Sequence, residues 1–582
     1  MPVSNIAVAA ALGEIADRLE IQGANAFRIR AYRMAARTIQ ELPDDVRAKI
    51  ERGETLAGLP GIGADLAGKI AEIATSGACE ILRTLRREMP PAITELLQIP
   101  GLGPKRVRML WQELGVQSAE QVLRAARDQR IRALHGFGEL TERRIESAIG
   151  AHLSKERRVK LAVAAEYANA LVDYLSAQPG VERVAVAGSF RRMRETVGDL
   201  DILVVASDGR ALTERFAAYP DVEQRLALGP TKASVRLRSG LQVDLRVVAR
   251  ESFGAALVYF TGSKPHNIAL RKLGLALGLK VNEYGVYRGA KRIAGDTEAS
   301  VYAALGLPPI PPELREDQGE IDAAKGRSLP RLVEYADLRG DLHAHTDATD
   351  GRDTLEAMVE AAQAAGLQYV AITDHSQRQA MSHGLDGPAL LRQARKIARV
   401  RKQATIDVLH GIEVDILDDG ALDLADAVLS RLDVVVAAVH AQFNLSRAKQ
   451  TERILRALDN PWVDVLAHPT GRLIGEREPY DVDMAAVVAK ARACGVHLEL
   501  NAYPDRLDLT EVNCRMCKDS GVRVAIDSDA HSVRGFAMLR LGVGQARRGW
   551  LTADDVVNTR TLAELRPLLR RSRSARTASR AA

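Results

Sequence analysis

From residue 336 onward the chain repeats one design: an apolar run, a ligand-type residue at its end, then a helix-length stretch. ADLRGDLHAH ends at His343 and His345, QYVAITDH at Asp374 and His375, IDVLHGIE at Glu413, and LDVVVAAVH at His440. WVDVLAH ends at His468, VHLELN at Glu499 and Asn501, and RVAIDSDAH at Asp529 and His531. Short apolar runs between helix-length segments are the pattern of buried parallel strands. Seven of them predict a parallel β/α barrel, which places its chemistry at the C-terminal ends of the strands. A single histidine at a strand end is ordinarily structural, but His or Glu at end after end, at one level, points to a metal cluster. Of the 12 histidines, nine lie in 336–582. The groups outnumber the ligands of one tetrahedral ion, and imidazole-rich ligation suits Zn, Mn or Fe rather than Mg alone. Glu413 is a natural bridge between ions. His383, His410 and His497 have no role in this pattern, and Cys494, Cys514 and Cys517 read as core or helix residues.

A chain of 582 residues predicts several domains, because single cores stop growing at ~250–300 residues. No run approaches the ~18 apolar residues that a membrane span needs. The start, MPVSNIAVAAALGEIADRLEIQG, lacks a basic n-region and carries Glu14, Asp17 and Glu20, so it reads as an amphipathic helix and not a signal peptide. Four cysteines give no disulfide framework, and the CxxC of Cys514 and Cys517 has no second pair to complete a zinc ribbon. These features point to the cytoplasm. The net charge of +6 equals the six arginines after Glu564, so charge says little about nucleic acid and the motifs must decide.

Three motifs near the N-terminus share one form: LPGIGADLAGKI (59–70), IPGLGPKRVRML (99–110) and LHGFGELTERRI (134–145). Gly-apolar-Gly permits a tight turn and leaves backbone N–H groups bare at a helix start, which suits a phosphate. The fit is to helix-hairpin-helix motifs, which grip DNA backbone without reading sequence. Gly61, Gly63, Gly101, Gly103 and Lys105 are the predicted contacts, and Glu139 and Glu142 weaken the third motif.

Between hairpins and barrel stands VERVAVAGSFRRMRETVGDLDILVVAS (181–207). Asp199 and Asp201 are two apart on a predicted strand, so they share a face. Carboxylates without histidine suit a hard ion such as Mg²⁺. Two-metal phosphoryl transfer usually needs a third acid, and LQVDLRVV (241–248) supplies Asp244. Ser189 and the N–H groups near Gly188 can hold a triphosphate, with Arg192 close by. The proline- and charge-rich 305–332 reads as an extended linker.

GSFRRMRETVGDLD, VDLRVV, YFTGSKPHNIALR and NEYGVYR together make 1–320 resemble the family X DNA polymerases, the group containing DNA polymerase beta. That resemblance implies two catalytic ions, Mg²⁺ or Mn²⁺, on Asp199, Asp201 and Asp244, and a triphosphate on Gly188, Ser189 and Arg192. It implies that Tyr259, Phe260, Gly262 and Asn267 line the sugar and minor-groove side of the nucleotide, with Arg271 near the template. The chain departs at Lys264, where the family often has an acid. FRIRAYRMAARTI and LPGIGADLAGKI resemble the family's small lyase domain, and Lys69 falls on its Schiff-base lysine. Arg28 and Asp65 replace lysines there, which leaves a phosphate-contacting Lys69 as the other reading.

The C-terminal part resembles the polymerase and histidinol phosphatase (PHP) family, phosphoesterases on a distorted seven-stranded barrel. This implies up to three ions (Mn²⁺ or Zn²⁺) on His343, His345, Asp350, His375, Glu413, His440, His468, Asp529 and His531, with Asp350 one residue off a position that is often histidine. The expected fold is multidomain, α+β and α/β. Its parts are a small helical lyase-like domain (1–80), a helix-hairpin-helix fingers-type domain (81–150), a nucleotidyltransferase palm (151–250) and a nucleotide-selecting thumb-type subdomain (251–315). A linker (316–335), a distorted (β/α)7 PHP barrel (336–570) and a basic disordered tail (571–582) complete it. As a whole the chain resembles bacterial family X polymerases with a C-terminal PHP domain. This implies gap filling in base excision repair on gapped or primed DNA with dNTPs, a 3′–5′ exonuclease, no membrane, and a monomer. Two other readings of the barrel stay open: a small-molecule phosphatase, and a metal-stabilised scaffold without catalysis.

Overall fold

The computed structural model describes residues 5–40, 42, 46–99, 101–154, 158–378 and 383–569. The tail expected at 571–582 lies outside the described residues. The chain forms two compact units, 1–157 and 158–582. No helix among the described residues is long and apolar enough to cross a membrane.

The first unit is helical. Asn5–Gln22, Ala26–Gln40, Ala64–Ser76 and Glu80–Glu88 bury Leu12, Ile15, Ile39, Ile70, Ile73 and Leu82 in one core. A second core holds Ile93, Leu96, Val107, Leu110, Val122 and Ile149. In the first two hairpins the two glycines do different jobs. Gly61 and Gly101 take φ of 72° and 90°, which turns the chain. Gly63 and Gly103 are extended N-caps that offer no side chain to the helices starting at Ala64 and Pro104. Their first-turn N–H groups are therefore bare. In the third motif Glu142 is buried on Arg132, 2.6 Å away, so Glu139 is the acid that remains exposed.

The second unit begins with a five-stranded sheet in the order Val181–Val186, Asp199–Ala206, Gln242–Val247, Lys232–Leu237, Val222–Leu228. Its two central strands are parallel, and their register sets Asp201 beside Asp244. Helix Leu161–Ser176 covers one face through Leu161, Leu171, Ile202 and Val204. Helices Phe253–Thr261 and Lys264–Ala276 follow, then three short antiparallel strands between Lys280 and Ala294.

The segment 316–335 is not the extended linker that its composition predicts. Glu320–Lys325 is a short helix, and Leu314, Ile321, Ala324 and Leu332 share a core with Trp550. Its charges are buried in pairs instead of solvated. Glu320, fully buried, accepts from the N–H groups of Asp317 and Gln318 and meets His266 Nδ1 at 2.5 Å, while His266 Nε2 meets Tyr302 Oη at 3.0 Å. Arg315 is buried against Glu298 at 2.7 Å.

The remainder is a seven-stranded parallel sheet in sequence order: Gly340–Ala344, Tyr369–Ile372, Asp407–Asp415, Val434–Ala438, Val465–Leu466, His497–Asn501 and Val524–Asp527. All seven strands pair in parallel with their neighbours in this order, and a parallel bridge from Ala344 to Ala530 brings the last strand back to the first. The strands are buried on both faces, as helices outside and a filled interior require. Thr354, Asp386, Asp483 and Thr510 cap the outer helices that follow them.

The buried pair of Glu320 and His266 should be costly to break. Glu320→Ala should lower the stability of the second unit by ~2–4 kcal/mol, because it strands a buried imidazole. Denaturant unfolding measures this, and Glu320→Gln should cost less.

Two candidate metal centres

In the palm, one carboxylate oxygen from each of Asp199, Asp201 and Asp244 falls within 4.8 Å of the others. Burial raises the pKa of Asp201 to about 7, and the charges of Asp199 and Asp244 add to it against Arg246 and Arg192. Gln242 Nε2 donates to Asp244 at 3.1 Å, and the Ser234 hydroxyl also donates to it. The turn Gly188–Arg191 sits directly against this triad: a Cβ on Gly188 would lie 2.8 Å from Asp201 Oδ2. Arg192 donates to Glu316 at 3.0 Å and to the Thr261 carbonyl, and a Cβ on Gly262 would lie 3.1 Å from its Nη1. Tyr259, Asn267 and Arg271 line one cleft with Leu270 and Asn282. Phe260 does not join them; its ring lies under Arg246 at 4.4 Å.

In the barrel all nine predicted ligands converge. Glu413 is central. Its Oε1 lies 3.0 Å from His468 Nε2 and 3.2 Å from His440 Nε2. Its Oε2 lies 2.7 Å from His375 Nδ1, 3.5 Å from His343 Nε2 and 3.7 Å from His345 Nε2. Asp529 Oδ1 is 3.2 Å from His345 Nε2. Asp350 reaches His375 at 3.2 Å and His531 at 3.5 Å, so it belongs to the cluster despite its offset in sequence. Three ion-sized groupings result: His345, Asp350, His375 and His531; His343, His345 and Asp529; His375, Glu413 and His440.

The donor set fits metal. His343 Nε2, both nitrogens of His345, His375 Nδ1 and Glu413 Oε2 are buried with no hydrogen-bond partner among the described residues. Each such atom costs ~1–3 kcal/mol if left bare, and divalent cations are the groups that satisfy so many converging lone pairs at once. Burial and the neighbouring His531 and His375 push the His345 pKa down to about 3, which keeps its lone pairs free. Burial opposes a charged His343, but Glu499, Glu413 and Asp529 outweigh it and hold its pKa well above the usual value. His343, His345 and Glu413 are almost inaccessible, whereas side chains of His440, His531 and Asp350 are 14%, 19% and 34% exposed, so the cluster opens on that side.

The whole chain is similar to known proteins. It is 36% identical to the DNA polymerase/3′-5′ exonuclease PolX of Bacillus subtilis over 566 residues, which is 96% of this chain and 98% of the relative. The chain belongs to the PolX family. Family models match piecewise: a helix-hairpin-helix domain at 3–79, a SAM-like helix-hairpin-helix tandem at 93–150, a DNA polymerase beta thumb at 256–316 and a PHP domain at 341–477. The barrel alone is similar to probable phosphatases. One from Thermoanaerobacter sp. is 29% identical over 38% of this chain and 89% of its own length; one from Acetivibrio thermocellus is 32% identical over 33% and 78%.

Around the metal groupings of this PolX chain stand residues that sequence pattern did not assign. His343 Nδ1 lies 2.6 Å from Glu499 Oε1, and His440 Nδ1 lies 2.5 Å from Asp415 Oδ1. These carboxylates fix which imidazole nitrogen faces the cluster. Asp415 is two residues from Glu413 on one strand, so period-2 spacing carried a signal for it. Glu499 stood among the ligand-type residues at strand ends, but it holds a histidine. Asp374 accepts from Thr346, Thr349 and Gln393 and so pins the loop that presents Asp350. Arg506 Nε lies 3.7 Å from Asp529 Oδ2, on a loop with no periodic signal. His468 and Asp529 take φ of 26° and 51°, strain that packing sustains at the centre of the site. His410 only faces Gln393, at 3.2 Å.

In the first unit Lys69 contacts Asp65 directly and stands 5.9 Å from the Tyr32 ring centroid. Burial alone lowers its pKa, but the Asp65 hydrogen bond and Tyr32 outweigh that and leave it raised.

The Asp201 shift has a measurable sign. Its pKa rises from 3.8 to about 7 on folding, so the folded metal-free chain loses stability as pH climbs through that window. Asp201→Asn should therefore raise the stability of metal-free protein at about pH 8 by ~1–3 kcal/mol and remove the stabilisation that Mg²⁺ gives the wild type. Thermal unfolding with chelator and with Mg²⁺ checks both.

Proposed function

We propose that this chain is a DNA polymerase that fills short gaps during base excision repair and trims 3′ ends with its PHP barrel. The observation that carries the reading is the pairing of two unlike donor sets on one PolX chain: three carboxylates beside a Gly-Ser turn, and nine imidazole-rich groups at the barrel strand ends and the loops after them. In the palm, Asp199, Asp201 and Asp244 would hold two Mg²⁺ or Mn²⁺ ions, which supply Lewis-acid stabilisation of the attacking and leaving oxygens. Ser189 and the N–H groups of the 188–191 turn cradle the triphosphate, with Arg192 beside it. Tyr259, Gly262 and Asn267 bound the nucleotide, and Arg271 faces the template. Phe260 supports that wall from behind, through Arg246.

In the barrel, His343, His345, Asp350, His375, Glu413, His440, His468, Asp529 and His531 would hold up to three ions, Mn²⁺ or Zn²⁺, which supply an activated water and neutralise phosphate charge. Glu499 and Asp415 orient His343 and His440. Arg506 offers its guanidinium to the same phosphate. The similarity to probable phosphatases supports removal of 3′ phosphates as well as nucleotides. The helix-hairpin-helix glycines Gly61, Gly63, Gly101 and Gly103, with Lys105, grip DNA phosphates. The protein works as a cytoplasmic monomer on gapped or primed DNA with dNTPs.

Separation of the two activities tests this reading. Asp201→Ala should lower gap filling at least ~100-fold while trimming persists, and His343→Ala or Asp529→Ala should do the reverse. A labelled gapped duplex, with and without dNTPs, reads both. Trimming by the His343→Ala protein at the wild-type rate places the nuclease elsewhere; wild-type protein that binds metal and never cuts leaves the barrel a scaffold.

Lys69 is better placed to contact phosphate than to form a Schiff base, because Asp65 keeps its amine protonated. Borohydride should trap little or no covalent complex with incised abasic DNA. Asp65→Asn should increase whatever trapping occurs.

A further inference from the structure

The barrel meets the polymerase at several places among the described residues, and one of them borders the Gly188–Arg191 turn. Helix Leu539–Arg548 packs against Arg192 and Met193, which directly follow the turn Gly188–Arg191. A Cβ on Gly544 would lie 2.3 Å from Met193 Cε. Gln545 Nε2 donates to the Met193 carbonyl at 2.6 Å, and Arg548 Nη1 donates to the Arg192 carbonyl at 2.9 Å. Arg472, from a barrel loop, meets Glu195 at 2.7 Å. Gln545 and Arg548 are buried, and Met193 is held at a φ of 55° that non-glycine residues rarely adopt.

The charges at this contact converge on Glu316. One of its oxygens, Oε1, receives Arg192 Nε at 3.0 Å and Arg548 Nη1 at 2.9 Å, with Arg194 3.8 Å away. Arg548 Nη2 also donates to Glu511 at 2.9 Å. An arginine of the polymerase and an arginine of the barrel thus share one carboxylate oxygen, and all three side chains are less than 15% exposed.

We propose that Arg548 and Glu316 are positioning residues for nucleotide addition, through which the barrel sets how readily Arg192 turns to an incoming triphosphate. This rests on the reading of Arg192 as a triphosphate ligand. The triphosphate must replace Glu316 as the counter-ion of Arg192. A buried carboxylate abandoned by its only cation is strongly penalised. Arg548 removes that penalty, because Glu316 keeps a buried partner when Arg192 leaves. Linkage makes the effect reciprocal: dNTP binding loosens the contact of Arg192 with Glu316 as much as that contact weakens dNTP binding.

Single-nucleotide gap filling over a range of dNTP concentrations tests the proposal, with trimming activity as the check that the barrel is intact. Arg548→Met should raise the dNTP KM ~5- to 50-fold with kcat little changed. Glu316→Gln should lower KM, and added to Arg548→Met it should restore KM to near the wild-type value. A purely structural role for Arg548 would lower kcat and trimming together, without rescue by Glu316→Gln, and would overturn the proposal. If Arg548→Met protein loses trimming, Glu316→Gln alone decides, and an unchanged or raised KM counts against the proposal. Arg192→Ala separates the two levels. If it raises KM while neither other variant moves it, the proposal fails and the triphosphate reading stands; if it leaves KM unchanged, both fail.

Discussion

Glu413 is the interaction on which the barrel turns. Two oxygens of one fully buried carboxylate meet five imidazoles, drawn from four different strands or the loops that leave them. These contacts are needed, because a buried carboxylate without partners is among the costliest defects a core can carry. Burial raises its pKa, and His440, His343 and His375 overcome that and hold it well below the ordinary value. The imidazoles need the carboxylate as much as it needs them, yet their remaining lone pairs still face one another. Protein groups alone leave the cluster short of cations, and metal is the natural supply.

The palm states the same logic with one sign. Three carboxylates share a face, and the strand register that brings Asp201 beside Asp244 also makes them repel. Such a triad costs the fold free energy whenever it is empty and ionised. Ser234, Gln242 and Arg246 offset part of that cost. Both sites therefore hold stability in reserve, which ions release.

What could be read in the sequence follows from the range of the interactions. Asp199 and Asp201 were legible because period-2 spacing maps directly onto one face of a strand. The histidines were legible because each closes an apolar run, and the parallel barrel gathers those ends at one level whatever lies between them. Asp350 was the weakest assignment by position, and it joins the cluster because Asp374 holds its loop. The segment 316–335 misled because its charges look solvated. Glu320 finds His266, 54 residues away, and Arg548 finds Glu316 across 232 residues, and nothing local announces either partner. Phe260 misled for a different reason: neighbours in a helix point to different faces, so Tyr259 lines the cleft and Phe260 packs on Arg246.

The misread linker bears on why two activities share one chain. An extended tether would leave palm and barrel as independent bodies, joined only in local concentration. Instead Leu332 and Trp550 lie in one core with the thumb-type residues, and helix Leu539–Arg548 lies on the loop after the Gly188–Arg191 turn. The barrel is thus part of the palm's structural support, and a change in either is felt in the other. That physical continuity gives a reason for 158–582 to fold as one unit: the barrel helix partly covers Arg192 and Met193 and hydrogen-bonds their backbone carbonyls.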